Sequence, residues 1–438
     1  MTQIATAPAM IPTPGTGGPQ SSPQSAAQRR ELARRHFFTG TPGRMRIAAA
    51  IASALCLAFG LAGFLGLRGV DGSTERAKAN TEQVVRVRTI YADLLAADAA
   101  VTNGFLLGGQ ESAQNRQTYD EAMARVASNI ATAASAQKAD GKALAQLNAE
   151  VQDYATNVDR ARTYNRDAKP VGAQYLRIAG SELRATALPI ADAIANANEK
   201  RADEELTVGG FGSLVVGVGI LALGVLAALA VWLARRTHRY LNVPLTAATV
   251  LVAGALSLAI THIAQVSSTM STVADGDYRA AVSLAQARAA AYDAKANESL
   301  TLIARGSGSA YESAYAESVR KANEALGETV LASPGDNALQ SRFHDYTNTH
   351  AKIRGADDDG DWNAAVELAT STANGSANQT FSAFDESASK VLSTKLSSIV
   401  AAFDKVGGGL LPIIVGLASA LAALLAGRSM SKRIEEYR

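Results

Sequence analysis

The chain has 438 residues, 47% of them hydrophobic and 19% charged, with a formal net charge of +2, five histidines and one cysteine. One cysteine excludes a disulfide-stabilised fold, and no nucleic-acid partner is expected; the near-neutral total hides basic and acidic parts of the chain. The apolar residues are concentrated in four runs, 47–67, 207–234, 243–263 and 406–427, without a charged residue in any interior. Each is long enough, at about 1.5 Å per residue, to cross about 30 Å of hydrocarbon, which makes the lipid bilayer the first partner and excludes a wholly soluble class.

Residues 1–28 are rich in Pro, Gly, Ser, Gln and Ala and carry no charge. Such a segment buries too little surface to offset its chain entropy and reads as disordered, either a solvated tail or a docking segment. Arg29, Arg30, Arg34, Arg35, Arg44 and Arg46 complete a basic N-terminal part, 1–46, ahead of the first run. That run reads as a signal anchor, because it is too long for a cleaved signal peptide and no small-residue cleavage site follows. Arg235, Arg236 and Arg239 fill the loop 235–242, and Arg428, Lys432, Arg433 and Arg438 the tail 428–438. Basic residues beside membrane spans stay on the cytoplasmic side, so the chain reads as a multi-pass plasma-membrane protein with both termini cytoplasmic. The three basic parts sum to +5, +3 and +2, while segments 68–206 and 264–405 sum to −2 and −6 and fall outside.

Segment 68–206 is dominated by residues that lose little freedom in a helix and lacks the alternating β-branched runs of strands. Val84, Val87, Tyr91, Leu94, Val101 and Phe105 recur at spacings of three and four, with Asp98 in the gap, which predicts one core-facing stripe. Gly108-Gly109 ends that helix, and further helices are predicted over about 110–137, over about 140–167, and from Lys169-Pro170 onward. Segment 264–405 repeats the plan, with breaks at Gly306-Ser307-Gly308-Ser309, Ser333-Pro334-Gly335-Asp336 and Asp357-Asp358-Asp359-Gly360. The predicted fold is all-α, four transmembrane helices with two tandem extracytoplasmic four-helix bundles. The halves also share spelling: at an offset of 200, Arg88 and Asp93 match Arg288 and Asp293, and Asp98 faces Glu298.

No constellation supports catalysis. His36, His238, His262, His344 and His350 are scattered and no cysteine accompanies them at metal-ligand spacing; His344 and His350, six apart, fit one helix face poorly and read as surface residues, so no metal or cofactor is expected. Gly217-Val218-Gly219-Ile220-Leu221-Ala222 fits a dinucleotide pattern only formally, because it lies inside an apolar run. Asp357 to Asp361 fails the register of a calcium loop and reads as capping for a helix starting at Trp362. Asp98 interrupts an apolar stripe and needs a partner. It is either one half of a structural pair with an arginine on a neighbouring helix or part of a recognition pocket with Arg88 and Tyr91. Arg288, Asp293 and Glu298 are the corresponding candidates in the second half. Gly209 and Gly210 open the second run, and Gly407, Gly408 and Gly409 the fourth. They serve close packing of spans or form hinges. Arg235, Arg236, Arg239, Lys432 and Arg433 make a candidate cytoplasmic partner surface.

Paired helical modules in a four-span chain resemble the sensor modules of bacterial chemoreceptors, without the cytoplasmic signalling rod. Tyr91-Ala92-Asp93 through Gly108-Gly109, the run Tyr292 to Gly306, and Asp359-Gly360-Asp361-Trp362 resemble the GlnX-type family of actinobacterial membrane signalling proteins. The resemblance implies a relay in which an extracytoplasmic lipoprotein that binds glutamine, glutamate or aspartate engages the outer surface. The signal then reaches a cytosolic Ser/Thr protein kinase that adjusts glutamate and 2-oxoglutarate metabolism, and no catalytic motif carries over. The alternatives are a direct small-molecule chemoreceptor and a structural scaffold of an envelope complex. A transporter is disfavoured by the lack of ionisable groups inside the spans.

Overall fold

The computed structural model describes residues 40–109, 111–206, 211–237, 242–335 and 337–435. Residues 1–28, the hinge candidates Gly209 and Gly210, and Arg239 lie outside them. Every regular element among the described residues is helical, and four helical stretches are long and apolar enough to cross a bilayer.

Helix α1 runs unbroken from Gly40 to Leu106, 67 residues or about 100 Å at helical rise, and carries the first apolar run straight into the polar segment. It ends where Gly108 (φ +56) and Gly109 (φ +78) turn left-handed, a backbone that disfavours any side chain with a Cβ. Helix α2 (Ala113–Ala136) starts on Ser112, whose hydroxyl accepts from the Asn115 N–H. Helices α3 (Gly141–Arg166), α4 (Val171–Glu182) and α5 (Leu188–Leu206) follow. A π-helical turn, Leu183–Ala187, joins α4 to α5. Pro189 explains it, since it has no N–H to offer and its ring would clash with the preceding turn of a regular helix.

The second half runs through α6 (Phe211–Thr237), α7 (Val243–Val273), a π-helical turn at Ala274–Tyr278, and α8 (Arg279–Ile303). It continues in α9 (Ser309–Ala332), α10 (Asn337–Asp358), α11 (Trp362–Thr370), α12 (Ala377–Val406) and α13 (Leu411–Glu435). The helix predicted from Trp362 therefore stops after nine residues. Ser371 is already extended, the connection turns at Gly375 (φ +82), and Ser376 restarts the helix by accepting from the Gln379 N–H. The acidic start does cap α11, through Asp361 accepting from Ala364 N at 3.0 Å.

The chain forms two compact units. One comprises the described parts of 1–58, 221–252 and 418–438. It buries Ala52, Cys56, Leu226, Leu245, Val252 and Ala422, and Ser53 Oγ donates to the Ala423 carbonyl at 2.9 Å. The other comprises 59–220 and 253–417 and holds both polar segments. They share one core, in which Val84, Ile90, Leu94 and Val158 belong to the same cluster as Phe343, Tyr346 and Phe384.

The shared core corrects the single stripe predicted on α1. Val84, Val87, Leu94 and Val101 are buried and Tyr91 and Phe105 half-buried, but Val85, Ile90, Ala92, Leu95, Ala96 and Ala97 are buried as well. Helix α8 is likewise buried on all faces. A helix enclosed all round is interior, so the second segment covers the face that a lone bundle would leave to water. Helix α2, by contrast, buries only Tyr119, Ala122, Val126, Ile130 and Ala133, one narrow stripe. Apart from Val171 and Leu331, the exposed large apolar residues fall in or beside the four apolar runs, as a lipid-facing surface requires.

Candidate functional site

The polar groups of interest are those that the shared core cannot leave unpaired, because a buried charge without a partner is costly. Asp98, 1% exposed, lies on α1 and accepts from Arg184 Nη1 at 2.9 Å and from the Tyr154 hydroxyl at 3.4 Å. Arg184 sits in the π-helical turn, and its other nitrogens reach the second half, where Nη2 and Nε donate to Asp293 Oδ1 at 2.6 and 3.1 Å. Asp293 also accepts from Ser318 Oγ at 2.7 Å. One guanidinium thus ties together two carboxylates from different halves. Burial works to lower its pKa, and the charges of Asp98 and Asp293 more than offset that and hold it above the ordinary value.

Arg88 and Tyr91 do not join Asp98. Arg88 pairs with Asp192, donates to Asn196 Oδ1 at 2.6 Å and lies 3.7 Å from Glu199. With Tyr91, Arg184 and Asp293 it lines a cleft of about 560 Å³ among α1, the α4–α5 junction, α8 and α9. Burial first, then the charges of Asp293 and Asp192, push the Tyr91 phenol up.

A second cleft, of about 590 Å³, is lined by α1, α2, α8 and α12, with Asn103, Arg125, Lys295, Asn378 and Asp385 among its walls. Arg125 donates to Asp93 at 3.1 Å, and Arg288 to Asp385 at 2.8 Å. Burial raises the Asp93 carboxyl against the opposing pull of Arg125 and Arg288.

Glu298, fully buried, belongs to neither cleft. It accepts from Lys295 Nζ at 2.6 Å and lies 3.0 Å from His350 Nδ1, whose Nε2 is 3.2 Å from Glu312. The imidazole stacks on Tyr315 at 3.5 Å. His350 is therefore not a surface residue, while His344 is exposed. Burial acts to lower the pKa of His350, but its hydrogen bonds to Glu298 and Glu312 outweigh that and raise it. Burial acts to raise Glu298, and Lys295 and His350 bring it below the usual carboxylate value.

Arg184, Lys295 and His350 are the residues that sequence reasoning missed. Lys295 had a local signal in Glu298, three residues on along the same helix, whereas the partners of Arg184 and His350 are remote in sequence. Among the described residues no group of His, Cys, Asp or Glu is arranged to hold a metal ion.

Of the glycine candidates, Gly407, Gly408 and Gly409 lie among the described residues. Helix α12 stops at Val406, Gly407 is extended, Gly408 takes φ +71, and α13 resumes at Leu411, so this passage into the fourth run is broken where α1 is continuous. At the cytoplasmic candidates, Arg235 is exposed on α6, Arg236 lies in the same helix, and Lys432 and Arg433 lie in α13.

Residues 73–207 match the family model of the actinobacterial sensor domain. No curated protein matches the chain, and no solved structure does. The match covers the first polar segment from within α1 to the end of α5, the part that contributes Arg88, Tyr91, Asp98 and Arg184 to the arrangement above.

Proposed function

We propose that the chain is a non-enzymatic transmembrane signal relay, with both polar segments outside the cell and both termini in the cytosol. One observation carries the reading: a segment matching a sensor domain shares a single core with the second segment, inside a chain that has four helices able to cross a bilayer. A cue that shifts one segment must then repack the other, because packed cores switch between discrete arrangements and do not deform continuously. The input is docking of a lipoprotein that binds glutamine, glutamate or aspartate, and the output goes to a cytosolic Ser/Thr protein kinase controlling glutamate and 2-oxoglutarate metabolism. Arg235, Arg236 and Arg239, with Lys432 and Arg433, present the movement to the kinase, and the broken passage at Gly407, Gly408 and Gly409 sets how it is transmitted.

The test is the triple change Arg235→Gln, Arg236→Gln and Arg239→Gln. It should abolish amino-acid-dependent phosphorylation of the kinase's target while leaving protein level and lipoprotein binding unchanged. Normal phosphorylation at normal protein level would reject the relay surface. A second reading, direct recognition of a small molecule, is favoured by the cleft that Arg88, Tyr91, Arg184 and Asp293 line.

A further inference from the structure

The cleft among α1, the α4–α5 junction, α8 and α9 has an unbalanced wall. Three cations line it, Arg88, Arg184 and Lys321, against four carboxylates, Asp192, Asp293, Glu324 and Glu328. Behind the wall the imbalance grows. Arg184 is shared between Asp293 and Asp98, and Arg88 between Asp192 and Glu199, so each guanidinium faces two carboxylates. At the rim Lys321 and Glu317 are 3.5 Å apart, Arg320 pairs with both Glu317 and Glu324, and Arg279 pairs with Glu328, so those groups roughly cancel. The inner wall is left with excess negative charge beside the half-buried Tyr91 ring and an apolar floor of Leu95, Leu188 and Ala289. Beside this wall the Tyr91 phenol is pushed up, first by burial and then by the charges of Asp293 and Asp192.

We propose that this cleft binds a small molecule carrying a primary ammonium group, which sits between Asp293 and Asp192 against the Tyr91 ring. The proposal deepens the direct-recognition reading and rests on it. An ammonium supplies the missing positive charge, three donors for carboxylate oxygens, and a cation for an aromatic face. A cleft of about 560 Å³ falls in the size range of small-molecule sites, roughly 300–1,000 Å³, and bounds the ligand to that class. Its place is consequential, because Asp293 is the group that Arg184 uses to join the halves. A ligand that competes for Asp293 would loosen that tie.

The experiment is calorimetry of the full chain in detergent at low salt, with 1,4-diaminobutane, glutamine and sodium acetate as probes. Heat from the diamine, alone or together with glutamine, supports the site, and the pair of results assigns the ammonium to an amine or to an amino acid. Binding of acetate as tight as that of the diamine, or no heat from any probe at millimolar concentration, overturns it. Asp293→Asn should abolish binding. Because that change also disturbs Arg184, the exposed rim supplies independent variants. Glu324→Gln and Glu328→Gln should each weaken binding by roughly two- to fivefold, and Lys321→Gln should strengthen it by a similar factor, the scale of exposed charge pairs. Structural damage would not reverse sign between these variants, so unchanged affinity in all three overturns the assignment. Binding is read without lipoprotein or kinase, so failure here leaves the relay untouched, and failure of the relay leaves this site untouched.

Discussion

Residues 98 and 298 stand at matching points of the two central helices and both carry a buried acid, yet the two halves satisfy them differently. Asp98 is held by Arg184, whose remaining hydrogen bonds leave its own half and reach Asp293. Glu298 is held by Lys295 and His350, both inside its own half, with Glu312 closing the set. The first acid therefore belongs to a contact between halves, and the second to a self-contained cluster with a histidine whose hydrogen bonds to Glu298 and Glu312 outweigh its burial and hold its pKa above the ordinary value. The same burial requirement has produced a coupling in one place and a pH-sensitive clasp in the other.

The largest expected effect comes from breaking the clasp. Glu298→Ala leaves Lys295 buried without its carboxylate and His350 with Glu312 alone, which should cost about 3–5 kcal/mol of stability in chemical denaturation of the full chain. Arg184→Ala should cost less, about 2–3 kcal/mol, because Asp98 keeps the Tyr154 hydroxyl and Asp293 keeps Ser318. Equal losses would mean that the two acids are held in the same way after all.

The pH dependence sharpens the contrast. His350 has its folded pKa raised above the ordinary 6.5, so its contribution is complete below that value and is lost as pH rises through the raised one. Glu298 is lowered below 4.5, so its contribution is complete above 4.5 and is lost as pH falls through the lowered value. The clasp is therefore strongest between 4.5 and 6.5. His350→Gln should flatten the loss of stability above 6.5, and Arg184→Ala should leave that loss in place. Melting curves from pH 5 to 9 would show it. The smallest effect is expected at the broken passage: Gly408→Ala forces a side chain into φ +71 and should cost about 1 kcal/mol, read as a modest fall in melting temperature.

Much of the fold could be read in advance because helix ends are local chemistry. Gly108-Gly109, Pro170 and Asp361 each mark a boundary through their own backbone or side chain. The break at Ser371 to Ser376 was missed although Asn374-Gly375 spells a turn. The shared core could not be read, because alanine in α1 and α8 suits a buried face and an exposed one equally, and the burial comes from a segment about two hundred residues away. The site was half legible for the same reason. Position 98 announced itself as an acid in an apolar stripe, but its partner is 86 residues on, and that partner's second acceptor is 109 residues further. His350 was misplaced because its spacing from His344 carried no information about Glu298, 52 residues back.

Through Arg184 and Asp293 the two halves form one coupled unit. A double-mutant cycle on Arg184→Gln and Asp293→Asn tests this directly, with urea unfolding of the full chain in detergent followed by helical circular dichroism. The predicted coupling between the two changes is about 1 kcal/mol or more, as for residues that share one hydrogen-bond network. Additive losses, agreeing within about 0.3–0.5 kcal/mol, would contradict it and leave the halves as neighbours that fold side by side without communicating.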